Sequence, residues 1–305
     1  MKLGAYVPQQ PLGSVFALPR EVTRLEDCFF YHTIDVPGYG TVPGPWDLRG
    51  CVDDYLGGVD LAGKRVLECG TASGFLCMEM EKRGAEVVAF DLSEDFDQDL
   101  VPYARGNEPE PRAHVKQFVR TLNNGWWLVH RANNASARVV YGEIYNIPVE
   151  IGEVDVVTYG SILLHVRDPY QALASGCRLA RDTVIVTEHP VHWGRFPAPP
   201  LAVPIPQAPG EAVDEAGWRE REEQLRERVR VAETTLQSLL DAPIGLFLPH
   251  ASTPNQNFTW WCLNPQTLCA MLGTLGFPNT TVAYHDTSVF NGKPERLFTV
   301  VGRRS

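Results

Sequence analysis

The sequence lacks the cysteine patterns that hold metals or build disulfide frameworks. Its 7 cysteines form no CxxC motif and have no histidines beside them at zinc-ligand spacing. They are at positions 28, 51, 69, 77, 177, 262 and 269. Because an odd and scattered set is typical of reduced thiols, we expect a protein of the cytoplasm, without disulfides and without a bound metal.

The sequence also lacks a long apolar run and an excess of basic residues. No stretch approaches the roughly 18 apolar residues that span a bilayer, and the N-terminus has no continuous apolar segment of a secretory signal. Asp and Glu number 37 against 27 Lys and Arg, which gives a formal net charge of −10. Since nucleic acids and anionic membranes are bound through basic surface, we expect neither as a partner.

Composition divides the 305 residues into four parts. Residues 1–62 are rich in Pro, Gly and aromatic residues, which indicates irregular structure and short helices rather than a sheet, forming a lid or platform for the substrate. Residues 63–189 form an alternating core, and residues 258–305 complete it. Residues 190–257 are an insertion that combines a proline-rich stretch with a charged helix at 211–241. A solvated surface role, a lid role and a homodimer contact are all open for that helix.

Short apolar runs alternate with helical periodicity through the core. The runs are RVLEC (65–69), AEVVAFD (85–91), ARVVYG (137–142), VDVVTYG (154–160) and DTVIVTE (182–188), followed later by NTTVAYH (279–285) and RLFTVVGRR (296–304). Strands that are apolar throughout are typical of parallel sheets covered on both faces. The sequence therefore predicts an α/β fold with a doubly wound, mostly parallel, seven-stranded Rossmann-like sheet.

The turn after the first core strand limits the kind of ligand. From Gly70 the chain reads Gly-Thr-Ala-Ser-Gly-Phe, which fits neither the GxGxxG of dinucleotide sites nor the end of a Walker A loop. A ligand without phosphates needs a tight turn, backbone N–H groups, and acids for hydroxyls and an ammonium. Glu68, Gly70, Gly74 and Asp91, which lies 17 residues after Gly74, supply these groups.

At this point the chain resembles a known family. VLECGTASG and VVAFD resemble motifs I and II of class I S-adenosylmethionine (SAM) methyltransferases, with Ala72 in place of the middle glycine. YGEIYNIP (141–148) and VDVVTYGSILLHVRDPYQAL (154–173) are similar to later motifs of the family, in the same order. The resemblance implies SAM as cofactor, with Asp91 on the ribose hydroxyls, Glu143 on the adenine amine and Ile144 over the ring. The implied contacts are Glu68, Gly70, Thr71, Ala72, Gly74, Asp91, Leu92, Glu143, Ile144, Gly160 and Ser161.

Three further segments resemble the group around the tRNA uridine-5-oxyacetic acid carboxymethyltransferase and its small-molecule relatives. They are TIDVPGYGTVPGPWDLRG (33–50), the Leu164–His165 turn and FTWWCLNPQTLCAMLGTLGF (258–277). In the tRNA enzyme a tyrosine precedes the histidine and helps to hold the extra carboxylate of carboxy-SAM. This chain has Leu164 there, and its N-terminal segment lacks clustered lysines. Both differences favour ordinary SAM over carboxy-SAM and a small acceptor over tRNA.

His165 is the candidate for catalysis. It follows a strand at the edge of the sheet where ligands bind in open α/β folds. A neutral imidazole there can accept a proton from a hydroxyl or amine acceptor. The alternative is a structural histidine that caps a helix or orders the SAM pocket, and the sequence leaves both roles open.

Six residues are candidates for contact with the acceptor. They are Tyr31, His32, Trp46, His189, His192 and Trp260. Aromatic side chains suit a flat or apolar acceptor, and their faces also suit a sulfonium cation. Histidines three residues apart can also bind a metal, but such a pair is common by chance, so we assign none.

The sequence therefore predicts a SAM-dependent methyltransferase that acts on a small-molecule acceptor, in specialised metabolism. Two other uses of SAM stay open: a tRNA-modifying methyl or carboxymethyl transfer, and chemistry without methyl transfer such as cyclisation of SAM. A non-catalytic partner protein with the 211–241 helix as its interface is a third class. The acceptor itself is not encoded in any motif that we can read.

Overall fold

A computed structural model describes residues 14–102, 112–190, 241–249 and 258–305, together with positions 223, 226, 227, 230, 231 and 238. Most of the insertion at 190–257, including His192 and most of the helix at 211–241, lies outside them. Among the described helices, none combines the length and the apolarity needed to cross a membrane.

The N-terminal segment contains more regular structure than its composition predicts. Its elements are a 3-10 turn Leu25–Asp27, β1 Ile34–Val36, β2 Gly40–Val42, β3 Trp46–Asp47 and α1 Val52–Tyr55. β1 and β2 form an antiparallel hairpin. β3 joins the main sheet, where Trp46 pairs with Phe290. The prediction of irregular structure without sheet was therefore wrong for this segment, because its strands are too short to give a periodic signal and one of them needs a distant partner.

The core alternates strands and helices as the sequence predicts. Its elements are β4 Arg65–Cys69, α2 Phe75–Lys82, β5 Glu86–Asp91, α3 Arg112–Ala132, β6 Arg138–Tyr141, 3-10 turns Ile144–Asn146 and Val149–Ile151, β7 Val154–Gly160, a 3-10 turn Leu163–His165, α4 Pro169–Cys177 and β8 Ala180–Glu188. The C-terminal part adds β9 Gly245–Phe247, β10 Trp261–Leu263, α5 Pro265–Thr274, β11 Asn279–Phe290 and β12 Lys293–Arg303. β9 and β10 pair with each other and lie outside the main sheet.

The main sheet has the order β3-β11-β12-β8-β7-β4-β5-β6. β4 pairs in parallel with β5 and β7, β5 with β6, and β7 with β8. β12 runs antiparallel to β8, and β11 runs antiparallel to β12. The seven predicted strands are all present and the predicted fold class is confirmed. The short strand β3 is an additional eighth strand at the edge.

The strands are apolar throughout because both faces of the sheet are covered. Successive side chains of β4 point to opposite faces, so that Val66 and Leu67 belong to two different core clusters, and both are fully buried. Trp126 of α3 packs on the first face, and Leu268 of α5 packs on the second. Burying each of these side chains contributes roughly 1.5–3 kcal/mol relative to exposure. Packing on both faces stabilises the sheet, and the carboxyl ends of its parallel strands stay available for a site.

Candidate functional site

A cavity of about 790 Å³ opens along the carboxyl edge of the sheet, within the usual range for ligand pockets. Its lining residues follow the strand order. From one end to the other they include Gly142 after β6, Asp91 at the end of β5, Gly70 after β4, Gly160 at the end of β7, His189 after β8, Leu297 of β12, Phe290 of β11 and Trp46 of β3. The two ends of the cavity are therefore formed by opposite ends of the sheet.

The turn after β4 has the tight backbone that the sequence predicts. Gly70 and Gly74 have φ angles of +84° and +87°, which favour glycine. A Cβ on Gly70 would lie 3.2 Å from the Ile162 side chain, and one on Gly74 would lie 2.9 Å from the Trp126 ring. Ala72 also has a positive φ, of +51°. The turn thus keeps its left-handed geometry at position 72 without a glycine.

Asp91 ties this turn to the end of β5. Its Oδ2 accepts a hydrogen bond from the N–H of Ala72 and its Oδ1 from the N–H of Leu92, both at 2.7 Å. Burial raises the pKa of Asp91 to about 6, while the two N–H groups lower it. The group is therefore mostly ionised at neutral pH. A carboxylate has about four acceptor sites, so two sites remain for other donors.

Three predicted contacts are buried and are not among the described residues that line the cavity. They are Glu68, Thr71 and Gly74. Glu68 is 3% exposed, and burial raises its pKa to about 8. Its Oε2 and the Thr71 hydroxyl have no hydrogen-bond partner among the described residues. These residues support the turn from inside the fold. Their direct contact with the cofactor stays a prediction.

The end of the cavity that follows β6 is acidic. Glu143 and Ile144, which the resemblance places at the adenine, both line the cavity, and Glu143 is exposed. Asp99 also lines it, accepts a hydrogen bond from the Tyr145 hydroxyl and lies 3.6 Å from Arg167. This end therefore presents carboxylates together with an apolar side chain.

Gly160 and Ser161 lie at the end of β7, against a residue that the sequence did not indicate. Tyr55 of α1 lines the cavity, and its hydroxyl lies 3.4 Å from the Ser161 Oγ. A Cβ on Gly160 would come within 2.8 Å of that hydroxyl. Ser161 has a φ of +50° and donates its N–H to the Thr187 carbonyl at 2.7 Å. No motif connects position 55 with the core, so only the fold could reveal this contact.

His165 lines the cavity from the 3-10 turn Leu163–His165. Its Nδ1 lies 2.5 Å from the backbone carbonyl oxygen of Phe258. Because a carbonyl only accepts, Nδ1 carries the proton, and Nε2 of the neutral ring has a lone pair. Burial lowers the pKa of His165 below its usual range, although the Phe258 carbonyl opposes this. The ring is therefore neutral at pH 7 and able to accept a proton at Nε2.

Glu188, at the end of β8, is a second acid that the sequence did not single out. It is 4% exposed, and its Oε1 accepts a hydrogen bond from the Leu163 N–H at 2.8 Å. Burial raises its pKa to about 8, whereas backbone N–H groups of Leu163, Leu164, Ile162 and His189 lower it. The sequence signal that could have identified Glu188 is an acid at the end of an apolar strand.

The other end of the cavity is aromatic. The Trp46 ring lies 4.7 Å from the Phe290 ring and 5.2 Å from the His189 ring, measured between centroids. Tyr31 and His32 also line the cavity. The Nδ1 of His32 is buried without a hydrogen-bond partner in the described part of the chain, and burial lowers its pKa to about 4. The structure thus brings four of the six predicted acceptor residues to one cavity.

The remaining two predicted acceptor residues are not among them. Trp260 is buried and is absent from the described lining, because its indole N–H donates to the Asp99 carbonyl and its backbone N–H to the Leu164 carbonyl, both at 2.7 Å. These two hydrogen bonds hold Trp260 beside the cavity, and its contact with an acceptor stays a prediction. His192 lies outside the described residues.

One family model and several solved structures are similar to this chain. A family model described as a methyltransferase domain matches residues 67–186. The chain is also similar to the N-terminal domain of EvdMO1, solved with SAH and D-fucose (16% identity, 92% of this chain and 93% of that chain covered, TM-score 0.48). Among curated proteins, none matches the sequence.

Two further solved structures are similar over most of their length. One is magnesium protoporphyrin IX methyltransferase from Synechocystis PCC 6803 with bound SAH (14% identity, 83% and 80% covered, TM-score 0.44). The other is 1,6-didemethyltoxoflavin-N1-methyltransferase from Burkholderia thailandensis with 1,6-didemethyltoxoflavin and S-adenosylhomocysteine (12% identity, 85% and 78% covered, TM-score 0.45). Identities and TM-scores this low do not indicate the acceptor of this chain.

The chemistry of the described cavity fits SAM. The Asp91 carboxylate retains acceptor sites for hydroxyls, and a side chain on Gly70 would meet Ile162 at the turn that the ligand must approach. Glu143 and Ile144 supply an acid and an apolar surface at the same end. Residues 67–186 are therefore similar to a methyltransferase domain, and the cavity at the ends of their strands is the candidate SAM site.

Proposed function

We propose that this chain transfers a methyl group from SAM to a small-molecule acceptor, with His165 accepting the acceptor's proton. The observation that carries the proposal is the position of His165 in the same cavity as Asp91 and Gly70, with its Nδ1 bound to the Phe258 carbonyl. That hydrogen bond leaves the lone pair on Nε2. The ring is thus oriented and neutral before any acceptor binds.

The residues proposed to hold SAM lie at the end of the cavity near β4, β5 and β6. Asp91 accepts the ribose hydroxyls, Glu143 the adenine amine, and Ile144 packs on the ring. Gly70, Ala72 and Leu92 supply the tight backbone around them. Gly160 and Ser161, at the end of β7, face the reacting end.

When bound, SAM supplies an electrophilic methyl group on a positively charged sulfur, and its transfer is an in-line displacement. The protein then contributes chiefly position and proton transfer. Three buried or half-buried groups near the site, Glu68, His32 and His165, are neutral at pH 7 by their pKa directions. Neutral His32 and His165 therefore add no positive charge to a cavity that is proposed to hold the sulfonium of SAM.

A small acceptor is favoured over tRNA by charge. The formal net charge is −10, and Asp97, Asp99 and Glu143 line the cavity. A polyanion approaching these carboxylates is repelled. The likeness to the tRNA carboxymethyltransferase group stays a prediction, and Leu164 in place of its tyrosine favours ordinary SAM.

Isothermal titration with SAM and with S-adenosylhomocysteine tests the proposal directly. We expect both to bind at one site per chain, and absence of binding by either would reject it. Mass spectrometry of reaction mixtures then separates the uses of SAM: a methylated acceptor plus S-adenosylhomocysteine supports methyl transfer, whereas methylthioadenosine without acceptor indicates cyclisation. A gel shift with bulk tRNA should be negative, and a salt-sensitive shift would favour the tRNA alternative.

A further inference from the structure

The end of the cavity farthest from Asp91 is built by strands that extend beyond the rest of the sheet. Phe298 of β12 pairs with Glu188, the last residue of β8. The β11–β12 hairpin continues past this level to the pair formed by Phe290 and Lys293. β3 then pairs with the extended part, through Trp46 and Phe290. The hairpin tip and β3 therefore stand beyond the sheet edge and close one side of the cavity.

The side chains at this end form what we call the aromatic wall, namely Trp46, Phe290 and His189. Their ring centroids are separated by 4.7 Å and 5.2 Å, with interplanar angles of 39° and 56°. Leu48 and Leu297, each 1% exposed, line the cavity beside them. Aromatic rings in tilted contact offer faces and edges to a further ring at favourable geometry.

Charge is distributed unevenly along the cavity. The carboxylates that line it, Asp91, Asp97, Asp99 and Glu143, follow β5 and β6 at the opposite end. Arg167 is the one Lys or Arg side chain among the described lining residues, and it lies 3.6 Å from Asp99 at that same end. A phosphate or carboxylate bound at the aromatic wall would therefore lack a described counter-charge, which makes its desolvation costly.

We infer that the aromatic wall is the acceptor subsite and that it takes an uncharged, planar aromatic molecule bearing a hydroxyl group. This inference rests on the proposed function. The hydroxyl oxygen forms a bond to the methyl carbon as the carbon–sulfur bond breaks, and the hydroxyl proton passes to Nε2 of His165. The products are a methyl ether, S-adenosylhomocysteine and an imidazolium, so that atoms and charge balance.

Calorimetric titration of 1-naphthol into the protein saturated with S-adenosylhomocysteine tests this subsite. 1-Naphthyl phosphate is the charged probe of the same ring, and cyclohexanol is a hydroxyl probe without an aromatic ring. We expect 1-naphthol to bind at least 10-fold more tightly than either. Phe290→Leu and Trp46→Leu should each weaken 1-naphthol by about 3- to 10-fold, because each removes an aromatic contact and keeps an apolar side chain.

Tyr284→Leu is the matched control, since Tyr284 lies on the same strand as Phe290 but is exposed and absent from the described lining. It should leave the affinity for 1-naphthol unchanged. Affinity for S-adenosylhomocysteine, measured for every variant, shows that the cavity is folded. Because Trp46 is buried, Phe290→Leu, at a half-buried position, carries the test if Trp46→Leu fails to fold.

The outcomes separate this inference from the proposed function. Failure of the wild-type protein to bind S-adenosylhomocysteine rejects both. If S-adenosylhomocysteine binds normally, three results reject this inference alone. They are binding of 1-naphthyl phosphate or cyclohexanol as tight as that of 1-naphthol, no binding of 1-naphthol, and wild-type affinity for 1-naphthol in Phe290→Leu. Preferential binding of 1-naphthol that Phe290→Leu weakens and Tyr284→Leu does not supports it.

Discussion

Oε1 of Glu188 accepts a hydrogen bond from the backbone N–H of Leu163 at 2.8 Å. The acid ends β8, and Leu163 begins the 3-10 turn that contains His165. A carboxyl group on one strand thereby holds the turn that follows the neighbouring strand. The position of the candidate base depends on this contact, because a three-residue turn has few internal hydrogen bonds of its own.

Removal of this acid should destabilise the fold. Glu188→Ala leaves the N–H of Leu163 buried without its acceptor, so we expect the free energy of unfolding to fall by about 1–3 kcal/mol. Glu188→Gln keeps a carbonyl oxygen and should lose less. Urea denaturation measures both, and Glu153→Ala is the control, since its exposed ion pair with Arg181 should contribute under about 1 kcal/mol. Equal losses for Glu188→Ala and Glu153→Ala would contradict the role of the buried contact.

Glu68 should make the protein less stable as the pH rises. Its pKa is about 8 in the folded state and near 4.5 when unfolded, so the unfolded chain releases the proton first. Stability is therefore lost between about pH 4.5 and 8. Glu68→Gln removes this dependence and should raise the free energy of unfolding by roughly 1–4 kcal/mol at pH 8, with little change at pH 5. Denaturation across this range measures it, and the exposed Glu86→Gln should show no such gain.

Asp91 should govern affinity for the cofactor. Asp91→Ala removes a carboxylate proposed to accept the ribose hydroxyls and frees the N–H groups of Ala72 and Leu92. We expect S-adenosylhomocysteine to bind more weakly by about 1–3 kcal/mol in calorimetric titration. Asp286→Asn, which alters an exposed acid paired with Arg296, should bind like the wild type. An unchanged affinity of Asp91→Ala for S-adenosylhomocysteine would show that Asp91 does not bind the cofactor.

His165 should control turnover and its pH dependence. If it is the base, His165→Ala lowers the rate by about 10²- to 10⁴-fold with little effect on the affinity for S-adenosylhomocysteine. The active form is neutral, and burial lowers the pKa of His165 below 6.5. Activity should therefore persist at pH 6.5 and be lost only as the pH falls further. A near-normal rate in His165→Ala would assign the histidine a structural role.

Gly160 and Tyr55 should be energetically coupled. Gly160→Ala places a Cβ within 2.8 Å of the Tyr55 hydroxyl, and the overpacking should cost about 1–3 kcal/mol of the free energy of unfolding. Tyr55→Phe removes that oxygen, so the double variant should recover part of the loss. Gly273→Ala is the control, because a Cβ there meets nothing within 4 Å. Additive losses in the double variant would contradict the contact.

The sequence predicted the elements that depend on local patterns. β4, β7 and the turn between β4 and α2 can be predicted because a continuous apolar run and a pair of glycines are local sequence signals. The end of β8 was placed at Glu188, as observed. Asp91 could be found in the same way, since its distance from Gly74 spans one helix and one strand.

Residues that reach the cavity from elsewhere could not be predicted. Tyr55 enters from α1 and Phe290 from β11, and neither position differs in composition from an ordinary core aromatic. The hydrogen bond from the Trp260 indole to the Asp99 carbonyl depends on tertiary packing, and no sequence periodicity indicates it.

The pairing of Trp46 with Phe290 joins positions separated by most of the chain. During synthesis, the N-terminal segment cannot take its place in the sheet until the last hairpin has emerged. Contacts of such long sequence separation form late and slow folding, because the entropy of closing the loop must be lost before they contribute. The aromatic wall is thus a late product of folding, and it needs both the segment that ends in β3 and the last hairpin.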